Sequence, residues 1–470
     1  MSQPTVIDLF CGAGGLSLGF HAAGCRIVAA VDVDEVATRT FSENFARLQP
    51  DAPPQVFSGE EGDLRTIDLE RVPGGAEIDI LIGGPPCQGF SQVGRAKLAK
   101  LSEQGFVNDP RNDLYERFLD AAELWKPRAV VMENVPGMRS VQGRDVADEA
   151  ASDLASRGYR VGHAVLNAVW YGVPQYRERL FFIGIREDLG QRPHMPVATH
   201  RASLPAGYLR PTLQMTLPLI PHHELAVDVD SASEPAVTVA QALDDLPRIT
   251  EHLSANGASS PDASRELPGY RGPAHSSYAR LMRAWPGLEV SDGVADHIIR
   301  RTPRDYETFR RMQHGDRYPQ AIVIARQRFA EELARLTEAG DAPAEGTVRY
   351  GELERRFVPP YREQIFVDKW RKLVPGEPSW TIPAHLSKDS YSHIHHDSDQ
   401  ARAISIREAA RLQSFPDGFR LHGNMGDRFR QIGNAVPPLL ARSVAGAVLD
   451  VLAIAQAPAL REDEQAAVMA

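Results

Sequence analysis

Over its first 186 residues the chain alternates short β-branched runs with stretches that repeat apolar residues at helical spacing. Val6–Phe10, Ile27–Val31, Ile78–Ile82 and Ala129–Met132 read as buried strands, with Leu16–Ala23, Glu35–Phe45, Leu114–Trp125 and Asp145–Ser156 as helices between them. Strand and helix in rotation allow few architectures. The expectation is an α/β fold built on a Rossmann-like, doubly wound, mostly parallel sheet. From about Gly190 a run of prolines predicts loops and short elements, the clearest helix falling over Gln320–Ala339. Helical patterning returns after His385. There Ser405-Ile406-Arg407-Glu408 opens like a capping box and Leu439–Ile454 reads as an apolar helix.

The strand exits carry the chemistry. Asp8-Leu9-Phe10-Cys11-Gly12-Ala13-Gly14-Gly15 is a strand running into a glycine turn and then a helix, which lets backbone approach a ligand at a helix N-terminus. Asp32 ends the second strand, where a carboxylate can accept both hydroxyls of a ribose. Together they imply an adenosine cofactor and leave NAD and S-adenosylmethionine both open, although Ser17 stands where a dinucleotide fingerprint has its third glycine. The next strand leads into Gly83-Gly84-Pro85-Pro86-Cys87, a frame that holds a thiol at a rigid turn and favours a nucleophile over a core cysteine. Glu133-Asn134 lies at the exit of a further strand, where the carboxyl can protonate a ring nitrogen. Gln175, Arg177 and Arg179 precede the apolar strand Leu180–Ile183. Period two puts them on one face, with two guanidiniums awaiting an acceptor.

Composition excludes less than it suggests. Lys and Arg number 52 against 62 Asp and Glu, so the mean field repels a polyanion. No run of roughly 20 apolar residues and no signal-like N-terminus predicts a membrane segment. The three cysteines, Cys11, Cys25 and Cys87, form no CxxC pair, and a reducing, cytoplasmic compartment is expected. His393, His395, His396 and Asp397 look superficially like metal ligands, but no cysteine or second cluster accompanies them, and no metal is expected.

In this order, the Phe-x-Gly-x-Gly turn, Pro-Pro-Cys-Gln, Glu-Asn-Val and Gln-x-Arg-x-Arg resemble the bacterial-type C5-cytosine DNA methyltransferases. Arg407–Pro416 and Gln431–Pro438 extend the match. The resemblance implies a class I methyltransferase fold with an inserted recognition domain. Residues 1–189 would be the first part of the catalytic domain, 190–385 the target-recognition region, 386–457 the completion of the catalytic domain and 458–470 a frayed tail. It implies S-adenosylmethionine held by Phe10, Gly12, Gly14, Asp32, Val33, Asp63, Leu64, Pro86, Leu114 and Asn434; Val33 stands where the family often has an aromatic. In the implied mechanism Cys87 adds to C6 of a flipped-out cytosine, Glu133 serves N3, Asn134 orients it, Arg177 reaches O2, and Arg179 supports Glu133. Gln88, Ser91, Arg95, Lys97, Lys100 and Thr381 would meet DNA. Ten arginines against six acids between Arg280 and Arg328 reverse the sign of the mean charge locally. The implied partner is double-stranded DNA, with a cognate restriction endonuclease or defence system, and a monomer suffices. A tRNA cytosine-5 methyltransferase and a non-catalytic DNA-binding scaffold are the competing readings.

Overall fold

The computed structural model describes residues 3–86, 112–139, 146–205, 208, 223–254, 267–290, 293–363, 365, 367–386 and 390–456. The described residues divide into two compact units. The first takes those within Met1–Tyr171, Glu178–Pro235 and Val436–Ala470, the second those within Gly172–Arg177 and Ala236–Ala435.

The first unit is built on a seven-stranded sheet in the order β3-β2-β1-β4-β5-β7-β6. Its strands are β1 (Thr5–Leu9), β2 (Arg26–Asp32), β3 (Gln55–Ser58), β4 (Ile80–Gly83), β5 (Ala129–Asn134), β6 (Tyr159–Asn167) and β7 (Glu178–Arg186). The first five run parallel, while β7 pairs antiparallel with both β5 and β6. Helices α1 (Gly15–Ala22), α2 (Glu35–Leu48), α3 (Asn112–Trp125) and α4 (Val146–Ala155) alternate with the strands. The expected α/β sheet is therefore present, and the reversal at β7 makes it mixed. Two strands, β3 and β6, were not anticipated. The central strands are apolar and fully buried, as a sheet covered on both faces requires.

The last helix, α12 (Pro438–Gln456), packs on α1. Backbone approaches closely there: a Cβ on Gly19 would lie 2.3 Å from Ala441 Cβ and 2.5 Å from the Arg442 nitrogen. The stretch Met425–Ile454 has the length and apolar composition of a membrane span, yet most of its apolar window is buried inside the protein, as in a core helix. Leu440, Ala441, Val444 and Val448 supply that buried face.

The second unit carries short helices, α5 (Val239–Leu243), α6 (Ser277–Arg283) and α7 (Tyr306–Arg311), followed by the long α8 (Tyr318–Glu338), α9 (Val348–Arg355), α10 (Ile406–Leu412) and α11 (Met425–Asn434). The capping box expected at Ser405 forms, with Glu408 and Ser405 each accepting from the other's backbone N–H. The described residues within 386–435 lie in this unit, whereas the sequence suggested their grouping with the sheet; those described within 190–235 lie with the sheet. The tie is α10. Fully buried Arg407 donates to the carbonyls of Ala295, Pro416 and Phe419, and fully buried Arg411 bonds Asp245, Asp417 and the Ala242 carbonyl.

Candidate active site

The turn after β1 is fixed by backbone. Phe10 and Gly12 adopt φ of 66° and 51°, and the Phe10 and Cys11 amides donate to the Val31 carbonyl at 2.9 and 3.1 Å. Gly14, at φ 92°, caps α1 without any side-chain cap. A Cβ there would come within 2.7 Å of Phe41 and 2.9 Å of Phe45, whereas one on Gly12 would meet nothing within 4 Å. The turn is thus closed on the helix side at Gly14 and open at Gly12. Asp32 bridges it to β2, accepting from the Gly12 amide at 2.8 Å and the Asp34 amide at 2.9 Å. Burial raises the Asp32 pKa, opposed by those two amides. Val33 is 59% exposed, an apolar side chain left bare beside the turn. Beneath lies Asp8, fully buried, taking the Ser17 hydroxyl at 2.5 Å. Burial pushes Asp8 up to about 8, with the negative charge of Asp32 adding to the shift. In the sequence the signal for this pair is an acid in the middle of an apolar strand.

Asp63, Leu64 and Leu114 lie on the same unit in different states. Asp63 is held low by the hydrogen-bonded guanidinium of Arg65, 2.6 Å from its carboxylate. The Leu64 side chain belongs to the core, and its carbonyl accepts from Arg117. Leu114 is half-buried against the same core.

At the exits of β4 and β5 the structure brings expected residues together. Arg179 Nε lies 2.7 Å from Glu133 Oε1, both side chains about one-eighth exposed (14% and 13%). Asn134 donates its side-chain amide to the Pro85 carbonyl at 3.1 Å, and its Oδ1 accepts from the Val135 amide, pinning the Pro85-Pro86 turn to β5. A Cβ on Gly84 would come 3.0 Å from Glu133 Oε2, so this glycine leaves the carboxylate room. Cys87, Gln88, Ser91, Arg95, Lys97 and Lys100 follow Pro86 outside the described residues. Of the other two cysteines, Cys11 and Cys25 are buried and their thiols are raised by that burial, Cys25 to about 12.

Arg177 corrects an expectation. β7 begins at Glu178, so Gln175 and Arg177 precede the strand and belong to the second unit. Arg177 is 1% exposed and donates to the carbonyls of Ile382, Gly433 and Ala435, at 3.0, 2.6 and 3.1 Å. A guanidinium so engaged is a structural tie, not one presented to a base. Gln175 likewise bonds Leu412, Gln413 and Ile382. Thr381 donates to the Tyr176 carbonyl at 2.6 Å, which places it against this segment, and Asn434 is exposed at the end of α11.

The histidine cluster resolves into separate contacts. His393 meets the Trp380 carbonyl, His395 is 3.5 Å from Glu408, and His396 is 2.8 Å from Asp244. Among the described residues no group of three or more His, Cys, Asp or Glu is arranged for a metal. The basic excess between Arg280 and Arg328 is largely answered from elsewhere. Arg283 pairs with Asp245, Arg311 with Glu331, Arg317 with Asp368 and Arg326 with Glu363.

Comparison with known proteins matches residues 4–450 to the C-5 cytosine-specific DNA methylase model. A protein of Oceanobacillus iheyensis assigned as a type II methyltransferase is 37% identical over 465 residues, 95% of each chain. Type II methyltransferase M.AgeI of Thalassovita gelatinovora is 34% identical, covering 93% of this chain and 97% of its own. Type II methyltransferase M.XorII of Xanthomonas oryzae pv. oryzae is 31% identical over 96% and 86%. Among solved structures, one assigned as a prophage-encoded DNA modification methyltransferase from E. coli shares the fold, with TM-score 0.60 and 23% identity over 96% of this chain and all of its own.

Proposed function

The chain belongs to the C-5 cytosine-specific DNA methylase family, and from that premise we propose that it transfers the methyl group of S-adenosylmethionine to C5 of a flipped-out cytosine in a specific duplex DNA sequence. The proposed setting is a restriction-modification or related defence system, with residues 190–385 reading the DNA. The observation that carries the reading is the Arg179–Glu133 pair beside a Pro-Pro turn that leads directly into Cys87.

The β1 turn suits the cofactor. Asp32 keeps a second lone pair on each oxygen for the ribose hydroxyls, Val33 offers an apolar face to adenine, and the uncapped start of α1 suits a carboxylate. Bound there, S-adenosylmethionine supplies an electrophilic methyl group. Cytosine C5 is a poor nucleophile, so the Cys87 thiolate first bonds to C6 while Glu133 donates to N3, and the electron pair released to C5 takes the methyl. A base, water in the simplest case, then removes the C5 proton, and the returning electrons expel Cys87. The buried, raised thiols of Cys11 and Cys25 leave Cys87 as the nucleophile. With Arg177 committed to carbonyls, the contact to O2 falls to Arg179.

The test is a trap. Duplex DNA carrying 5-fluorocytosine at the methylated site, found by bisulfite sequencing of DNA from a methylation-free host expressing the chain, should form a covalent adduct with the wild type and none with C87S. E133Q should bind cofactor normally and lose methyl transfer by about a hundredfold or more. An adduct that persists in C87S, or methylation confined to tRNA, defeats the proposal.

A further inference from the structure

Trp380 is half-buried, and two guanidiniums lie over its indole. The Arg371 carbon is 4.5 Å and the Arg317 carbon 5.3 Å from the ring centre, within cation–π range. The backbone brings them there. Lys372 donates to the Asp316 carbonyl, Gly315 donates to that of Lys372, and Tyr318 donates to that of Lys369, so residues 315–318 run against 369–372. Beneath, fully buried Trp370 packs against Phe309, Tyr318 and Tyr391 and holds this pairing rigid.

Arg371 is fixed further. Its Nε donates to the Asp368 carbonyl at 2.8 Å and an Nη lies 2.7 Å from the Asp368 carboxylate, which also meets Arg317 at 3.2 Å. The arginine side chain is 19% exposed and the carboxylate beside it 65%. On the other flank, Thr381 is tied to Tyr176, in the segment that runs on into Arg177.

Two features separate this cluster from an ordinary phosphate contact. Phosphate needs only reach and positive charge, which a mobile surface arginine supplies, whereas this fork is held by stacking and two hydrogen bonds before any ligand arrives. An exposed carboxylate also stands between the guanidiniums and would repel a phosphate. The same pair suits a base-pair edge. In the major groove guanine presents O6 and N7 as acceptors for a guanidinium fork, and its partner cytosine presents the N4 amine as a donor for a carboxylate.

We propose that Arg371 and Asp368 read one G·C base pair of the recognised sequence, with Trp380 and Arg317 holding the fork in position. The proposal rests on the reading of the chain as a DNA methyltransferase. It is tested with full-length protein on a panel of duplexes in which each base pair of the mapped site is replaced in turn, comparing wild type with R371K and D368N. Asp368 is exposed, so D368N leaves the fold alone, and cofactor binding equal to wild type checks both variants. The expected result is a loss of about tenfold or more in kcat/KM discrimination at the same G·C pair in both variants, with other positions unchanged. A uniform fall at every position, accompanied by a salt slope reduced by about one in the charge-removing variant R371A, marks a phosphate contact and overturns the proposal. Unchanged discrimination, or relaxation at different positions in the two variants, overturns it as well. A wild type that methylates no duplex defeats the proposed function instead.

Discussion

Asp8 shows how a single side chain under the glycine turn links sequence to pH response. Its carboxyl is held near 8 in the fold by burial, against about 4 in an unfolded chain. Folding therefore takes up a proton between those values, and the stability this group contributes falls as pH rises through that window. D8N keeps an acceptor for Ser17 without a charge, and should melt higher than wild type at pH 8, with the difference shrinking by pH 5; a difference that grows on acidification would contradict the assignment. In the sequence Asp8 stands out only as an acid within an apolar strand, and nothing local says that Ser17, nine residues on, faces back to it. The placement of Glu133 and Asn134 at a strand exit was legible, since the apolar run Ala129–Met132 leads straight into them. That Arg177 is tied to carbonyls while Arg179 meets Glu133 was not. Alternation along a strand treats them alike, and the break at Glu178 is set by pairing of residues 174–176 with Ser379, some two hundred residues away.

At the scale of elements, the parallel strands were readable from β-branched runs bounded by turns, while β3, four residues long, and β6, interrupted by Gly162 and His163, lack that signature. Helix α10 was anticipated by its capping box, yet its main feature was hidden. Arginine in a helix reads as surface charge, and the acids that bury Arg411 come from Asp245 and Asp417. R411A leaves buried Asp417 without its cation and Asp245 with Arg283 alone, and should destabilise the second unit by about 3–5 kcal/mol, read from the midpoint of denaturant unfolding. A loss below 1 kcal/mol would mean that the pair is solvated in solution.

For the whole molecule, the formal charge of −10 argues against a polyanion as partner, and the arginines of 280–328 offset it less than counting suggests because acids from 245, 331, 363 and 368 answer several of them. If the proposed function holds, electrostatic attraction to DNA rests on a small number of basic side chains, for which the sequence offers Arg95, Lys97 and Lys100. Duplex affinity should fall as salt rises from 50 to 200 mM with a shallow but definite log–log slope, and an affinity flat over that range would refute the charge argument. The contact between Gly19 and Ala441 has its own consequence for how the protein comes into being. On a ribosome adding about 5–20 residues per second, the helix that covers α1 emerges roughly 20–80 s after it. During that interval α1, the helix into which the glycine turn runs, lacks the packing partner that covers it in the finished fold, so this part of the sheet's cover can be completed only late in synthesis.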